Sequence, residues 1–418
     1  MSPPVAVAAT GVISTLAVGG VILRPFGWSE WVFATAGAAL LVALQLLSPA
    51  DALQGIAAGT DVYLFLAGMM LLAEIARREG LFDYLAARAA GAAKGSPQRL
   101  FALVYLVGTA VTVFLSNDAT AVVLTPAVIA VARAAKVKDP IPYLLACAFV
   151  ANAASFVLPI SNPANIVVFG EAIPPLGAWL ARFALPSLAA ILATYGALFL
   201  ITRKSLGTAI VQPAATPRLS RGGRIAAIGL ILAVAALLTA SALGTELGLP
   251  TAMAGAATLA FVTLAERRSP FPALSGVSWS TLVLVAGLFV IVRALDGIGL
   301  EAALVAALQA TVQETGALAA PVVGGVVAVL TNLTNNLPLG LVSGGVVAAA
   351  DAPPHVTDAI LIGIDLGPNI SVTGSLATIL WLIALRREGI AYGALPFLKV
   401  GIIVTLPALA LALLATML

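Results

Sequence analysis

The sequence predicts an all-α polytopic membrane protein built as two inverted repeats, each with about five spans, one re-entrant hairpin and one discontinuous helix. Three observations carry that prediction. The chain is 61% hydrophobic and only 9% charged, with a mean hydropathy of +1.09, whereas a soluble domain carries roughly 25% charged residues. Two polar runs, Ser116-Asn117-Asp118-Ala119-Thr120 and Thr334-Asn335-Asn336-Leu337-Pro338, sit inside apolar blocks. Each is followed by a second polar break, Asn152 to Asn165 and Asp365 to Ser375, in the same order in both halves.

A helix needs about 20 apolar residues to cross a hydrocarbon core. Stretches near 5–24, 30–49, 61–78, 141–171 and 177–202 qualify in the first half, and 223–243, 248–265, 276–295, 358–384 and 391–416 in the second. No positive charge precedes Arg24, so the opening stretch lacks the basic region of a signal peptide and reads as a retained span. Blocks 99–134 and 317–350 hold the polar runs at their centres. Their arms are short, so each block reads as a re-entrant hairpin, with two tilted spans as the alternative. Stretches 80–97 and 297–314 come just before the hairpins and carry charge on one side, as interfacial helices do.

Five crossings leave the first repeat, 1–202, on the side opposite its start, so the second, 223–418, is inverted. The basic stretch 203–222, with Pro and Gly, suits a cytoplasmic linker. Internal similarity agrees: Leu115-Ser116-Asn117-Asp118 aligns with Leu333-Thr334-Asn335-Asn336, and Asn152-Ala153-Ala154-Ser155 loosely with Asp365-Leu366-Gly367-Pro368. With the N-terminus outside a bacterial-type plasma membrane, every Lys and Arg except Arg182, Arg293 and Lys399 falls on the cytoplasmic side.

Backbone within lipid must be hydrogen-bonded internally or line a wet cavity. Pro159, Pro163, Gly367, Pro368 and Gly374 interrupt two spans otherwise long enough to cross. The resulting half-helix ends offer free donors and carbonyls to a small hydroxylated or ionic solute, and the hairpin tips converge on the same place. Asp118 and Asp365 are the acids this topology places deep in the membrane. A carboxylate there costs several kcal/mol unless paired, hydrated or protonated, so each is a candidate for proton coupling; the alternative is a half-helix cap. Asn117 and Asn335, matched across the repeats, are candidates to bind substrate, whereas Asn332, Ser371 and Thr378 serve equally well as helix glue. Glu74, one turn before Arg77 and Arg78, reads as an interfacial ion pair. A lone Cys147 and a lone His355 exclude a thiolate cluster and a Ser-His dyad, so no metal, no cofactor and no enzymatic chemistry is expected, and no nucleic-acid partner.

Four segments resemble a known family: SNDATAVVLTPAVIAVA from Ser116, ANAASFVLPISNPANIVV from Ala151, TNNLPLGLVSG from Thr334 and, most specifically, IGIDLGPNISVTGSLATILWL from Ile362. They are similar to the arsenical-pump membrane proteins, the arsenite and antimonite efflux permeases of the ion transporter superfamily. The resemblance runs over nearly the whole chain. It implies secondary active efflux of trivalent metalloid hydroxides in exchange for protons by alternating access. It also implies a scaffold, a homodimer moving by an elevator-like stroke, and in some relatives a soluble ATPase partner. Matched residue by residue, the first hairpin motif falls on Asn117, Asp118 and Thr120, and the first broken helix on Asn152, Ser155, Ser161, Asn162 and Asn165. The second hairpin falls on Asn335 and Asn336, and the second broken helix on Asp365, Asn369, Thr373 and Ser375. Some relatives carry a lysine where Asn369 stands, which alters the charge balance around Asp365.

Trihydroxyarsenic is neutral and polyol-like, so amides, hydroxyls and helix ends suffice to bind it without thiols. The candidate site lacks Arg or Lys, which disfavours a dicarboxylate. A sodium/proton antiporter is the nearest alternative and a passive neutral-solute channel a more distant one.

Overall fold

The computed structural model describes residues 3–207, 210–211 and 218–418; within the expected linker, positions 208, 209 and 212–217 lie outside the described residues. The chain opens with α1 (Pro3–Leu23), α2 (Glu30–Ala43), α3 (Pro49–Ala58), α4 (Thr60–Arg78) and α5 (Leu81–Ala93). The first hairpin is α6 (Pro97–Phe114), the short turn α7 (Asn117–Ala119), a π-helical segment at Thr120–Leu124, and α8 (Thr125–Ala134). Next come the broken pair α9 (Ile141–Ala153) and α10 (Pro163–Phe169), then α11 (Leu176–Thr202). The second half runs through α12 (Arg221–Ala242), α13 (Gly248–Glu266), α14 (Phe271–Gly276), α15 (Trp279–Gly297) and α16 (Leu300–Thr315). It ends with the hairpin α17 (Ala319–Thr334) and α18 (Asn336–Ala349), the broken pair α19 (Pro354–Leu366) and α20 (Leu376–Arg387), and α21 (Ala394–Ala415).

Among the described residues α1, α6, α11, α12, α13, α15, α21 and the run Leu300–Thr334, which joins α16 to α17, are each long and apolar enough to cross a membrane, eight in all, or nine if α3 and α4, bent by 47°, count as one span. The molecule is thus an all-helical, multi-pass membrane protein. One span departs from expectation. The apolar pattern over 30–49 continues through Leu47, but the helix stops at Ala43, Gln45 takes φ 57°, and Ser48 caps a new helix by accepting from the Asp51 N–H at 3.0 Å. A Ser-Pro pair starts a helix more readily than it continues one.

Both apolar blocks double back. Thr112 and Thr120 share a hydroxyl hydrogen bond of 2.8 Å, although residues so spaced on one continuous helix would lie about 12 Å apart. The reversal falls at Ser116, whose Oγ accepts from the Ala119 N–H at 3.1 Å. In the second block Asn335 makes the turn at φ 73°, and Val323, Val326 and Leu330 of α17 face Leu339, Val342 and Val346 of α18 across one apolar cleft.

The helices pack as two groups. In one, α4 lies along α13, which lies along α12, while α15 joins α1, α2 and α3. In the other, α6 packs on α9, α11 on α21, α17 on α19 and α10 on α18. Small residues set the closest approaches. Gly255 of α13 would place a Cβ 3.0 Å from the Gly68 carbonyl of α4, and a Cβ at Gly401 of α21 would collide with the Ile370 carbonyl at the second break. With no hydrophobic drive between helices in lipid, such close contact supplies the packing energy. The second group also holds a partly buried Arg182–Asp358 ion pair between α11 and α19, with the guanidinium over the Phe169 ring at 5.4 Å.

Candidate functional site

Prolines at 159, 163 and 368 remove backbone donors, so helix cannot run through either break, and side chains must serve the freed groups. At the first break, Asn165 Nδ2 donates to the carbonyls of Ser155 at 2.9 Å and Leu158 at 3.1 Å. Ser161 Oγ accepts from the Leu158 N–H at 3.2 Å and donates to the Val113 carbonyl of the adjacent hairpin at 2.9 Å. Asn162 caps α10 by accepting from the Ala164 N–H at 3.1 Å. At the second break, Asn332 Nδ2 reaches the Ala328 and Gly367 carbonyls at 2.7 and 2.9 Å, and Ser371 donates to Asn332 Oδ1 at 2.7 Å. Thr373 donates to the Asn332 carbonyl at 2.9 Å, and Ser375 caps α20 by accepting from the Ala377 N–H at 3.1 Å.

The two breaks meet. Asn162 Nδ2, from the first, donates at 2.8 Å to one oxygen of Asp365, from the second, and Ser155 Oγ lies 2.8 Å from the other oxygen, its single proton shared with the Asn152 carbonyl, also at 2.8 Å. Beside them Asn152 Nδ2 donates to Asn369 Oδ1 at 3.0 Å, and Asn369 Nδ2 returns to the Phe149 carbonyl at 2.9 Å. All five of these side chains are buried. Asp365 therefore ties the broken helices together through both carboxylate oxygens, and its side chain is fully buried.

The hairpin tips converge on the 373–376 segment. Asn336 N–H donates to the Gly374 carbonyl at 2.9 Å and Asn335 Nδ2 to the Thr373 carbonyl at 3.2 Å. Two residues on, Leu376 shares a cavity wall with Asp118 and Ser116 of the first tip. Asn117 is buried and accepts from the Asp118 N–H at 2.9 Å. Thr120 spends its hydroxyl on the turn against Thr112.

Asp118 is placed differently from Asp365. Among the described residues no hydrogen bond or ion pair reaches its carboxylate, and it lines a cavity of about 100 Å³ at the seam between the two helix groups. One wall carries Ser116, Asp118 and Val122 with Pro163 and Leu376 at the starts of α10 and α20; the facing wall carries Met69, Met70 and Glu74 of α4 and Ser278 and Thr281 around the start of α15. No Lys or Arg lines it.

Of the sequence candidates, the structure brings Asn152, Ser155, Asn162, Asp365 and Asn369 into one network and Asn335, Asn336 and Thr373 into a second. It puts Asp118 alone on the open cavity. Ser161, Asn165, Thr120 and Ser375 brace the breaks and turns. Sequence reasoning missed the facing wall, Glu74, Ser278 and Thr281, since a single polar residue in an apolar helix carries no spacing signal. The ion pair expected of Glu74 is present: Arg77 Nε and Nη2 each donate to it at 2.7 Å. Yet Glu74 and Asp358 prove as buried as the deep acids, each matched by arginine.

A family model described as a citrate transporter matches residues 18–385. The arsenical pump membrane protein of Yersinia enterocolitica is 30% identical over 83% of each chain, and that of Escherichia coli K12 is 27% identical over 97% of each. An uncharacterised transporter of Mycobacterium tuberculosis is 28% identical over 92% of each. The crystal structure of the Alcanivorax borkumensis YdaH transporter covers 97% of both chains with a TM-score of 0.58 at 16% identity, a likeness of fold. A multi-pass fold, a polar seam between two helix groups and matches running through both halves agree: the chain is a membrane transporter and belongs to the citrate transporter family of the ion transporter superfamily, alongside the arsenical pump membrane proteins.

Proposed function

We propose that this transporter exports trivalent metalloid hydroxides, arsenite or antimonite, from the cytoplasm in exchange for protons. The observation that carries the reading is the Asp118 cavity: an uncommitted carboxylate beside hydroxyls, with no cation in the wall. A neutral trihydroxide brings three O–H donors, which a carboxylate and hydroxyl oxygens accept. Citrate, the substrate in the matched family's name, would bring carboxylates to a wall that already holds Asp118 and Glu74 and offers no guanidinium or ammonium. Relatives named as arsenical pumps support the same choice.

Asp118 carries the proton. It is charged while it accepts from the metalloid and neutral when the cargo has left, so proton and solute compete for one group. Asp365, also a coupling candidate from sequence, holds the broken helices in register. The substrate-binding set then divides: Asn117, Asn335 and Asn336 shape the tips, while Asn152, Ser155, Asn162 and Asn369 fix the crossing that presents them. The seam location suits alternating access, because motion of one helix group past the other exposes the cavity in turn. Two further depressions lie toward the two ends of α4. One is lined by Arg77, Arg78 and Arg268 with Glu79, the other by Asp61 and Glu246. We assign the basic one to the cytoplasm of a plasma-membrane protein with its N-terminus outside, and the repeats 1–202 and 223–418, joined by 203–222, to an inverted pair.

Inverted vesicles test the proposal. Arsenite uptake should follow an imposed pH gradient and drop at least about tenfold in Asp118→Asn. Uptake indifferent to the gradient would sink it, and sodium-driven proton flux without metalloid movement would establish the antiporter alternative, which the same carboxylate would serve.

A further inference from the structure

Glu74 is the second carboxylate of the Asp118 cavity, on the opposite wall, and its surroundings differ from those of an ordinary interfacial pair. Its side chain is 8% exposed. Arg77 grips both oxygens at 2.7 Å, and Arg78 Nη1 adds a longer contact at 3.4 Å. Gly276 faces the carboxylate, and a Cβ there would collide with it, so the glycine provides the room in which the acid lies. A bidentate guanidinium–carboxylate pair is the strongest side-chain contact available without a covalent bond, yet it opens whenever either partner finds another.

The pair also divides two spaces. Ala73, Glu74, Gly276 and Val277 line the Asp118 cavity. One turn further along α4, Ile75, Arg77 and Arg78, with Pro272 and Ala273 of α14, line the basic depression of about 620 Å³. Glu74 therefore lines one space and its partner Arg77 the other, and their bond lies between the two, beside the buried apolar contact of Ile75, Ala273 and Val277. We propose that the Glu74–Arg77 ion pair is the gate between the basic face and the Asp118 cavity, and that Glu74 is the first group the cargo meets as the pair parts. This rests on the reading of the Asp118 cavity as the transport site.

Thiol labelling tests the gate without any metalloid. In a Cys147→Ala background, Thr281→Cys places one thiol in the cavity wall, to be labelled from each membrane face with small impermeant methanethiosulfonates, one cationic and one anionic. Labelling from the basic face should be slow, and Glu74→Gln or Arg77→Gln should each accelerate both reagents about tenfold, the cost of roughly one charge-assisted bond. A change in local potential alone would instead speed one reagent and slow the other, which would overturn the gate. The transposed pair Glu74→Arg with Arg77→Glu should restore slow labelling. Gly276→Ala, which pushes the carboxylate aside while keeping all charges, should open the gate as Glu74→Gln does. Unchanged rates in Gly276→Ala and Arg77→Gln protein that elutes as a folded species would refute the proposal while leaving metalloid export by Asp118 to its own assay.

Discussion

At Asp365 the carboxylate is enclosed, each oxygen 2.8 Å from a polar side chain of the other broken helix. At Asp118 the carboxylate stands in a cavity wall with nothing to accept from among the described residues. The two acids occupy corresponding kinds of place, a polar break in an apolar run, and they are bonded differently. A group that takes up and releases a proton needs free lone pairs and a path to water. A group that holds two discontinuous helices in register needs its lone pairs committed. Burial alone therefore does not separate the two carboxylates; the coupling role proposed for Asp118 rests on its free lone pairs beside a cavity.

The comparison breaks first at Asp365. Asp365→Ala leaves the Asn162 amide as a buried donor without an acceptor, whereas the Ser155 hydroxyl keeps the Asn152 carbonyl at 2.8 Å, so about 1–3 kcal/mol of stability should go. Thermal unfolding in detergent should show a large fall in midpoint, and transport should fail with the fold. A midpoint equal to the parent's would mean that Asp365 is not structural. Asp118→Asn should do the reverse. Removing one charge-assisted partner costs about 1.5–3 kcal/mol, so vesicle uptake should drop roughly 10- to 150-fold while the unfolding midpoint stays within a degree or two of the parent.

A gentler change sharpens the contrast. Transposing charge and amide, Asp365→Asn with Asn162→Asp, keeps a donor opposite a carboxylate, whereas Asp365→Asn alone leaves Asn162 a neutral acceptor in place of a charged one. The double variant should regain most of what the single one loses, with a coupling of about 1–3 kcal/mol measured by a double-mutant cycle on the unfolding midpoint. Additive losses would show that the two side chains do not act as a pair.

Much of this fold is legible in the sequence because lipid makes polar residues conspicuous. Ser116 to Thr120 and Asp365 to Ser375 stand out where every neighbour is apolar, and prolines at 159, 163 and 368 forbid continuous helix. Other features leave no such mark. The distinction between Asp118 and Asp365 depends on donors that lie 203 and 210 residues from Asp365 in the chain, which no local pattern reveals. Ser278 and Thr281 look like ordinary hydroxyls at the start of a span. The break after α2 is hidden because Leu44, Leu46 and Leu47 continue the apolar run while the backbone at Gln45 has already turned.

The smallest effect separates the two regions most finely. Ser116 and Ser375 do the same local work, each accepting a helix N–H at 3.1 Å, from Ala119 and Ala377. Replacing either by alanine should cost about 1 kcal/mol of stability, the usual worth of such a cap. Ser116 also lines the Asp118 cavity, whereas Ser375 does not. Ser116→Ala should therefore lower metalloid uptake several-fold beyond its effect on folding, and Ser375→Ala should lower stability alone once uptake is corrected for folded protein. Two variants matched in midpoint and in corrected uptake would place the hydroxyl of the first tip outside the transport route, because the only property distinguishing the serines is the space that one of them faces.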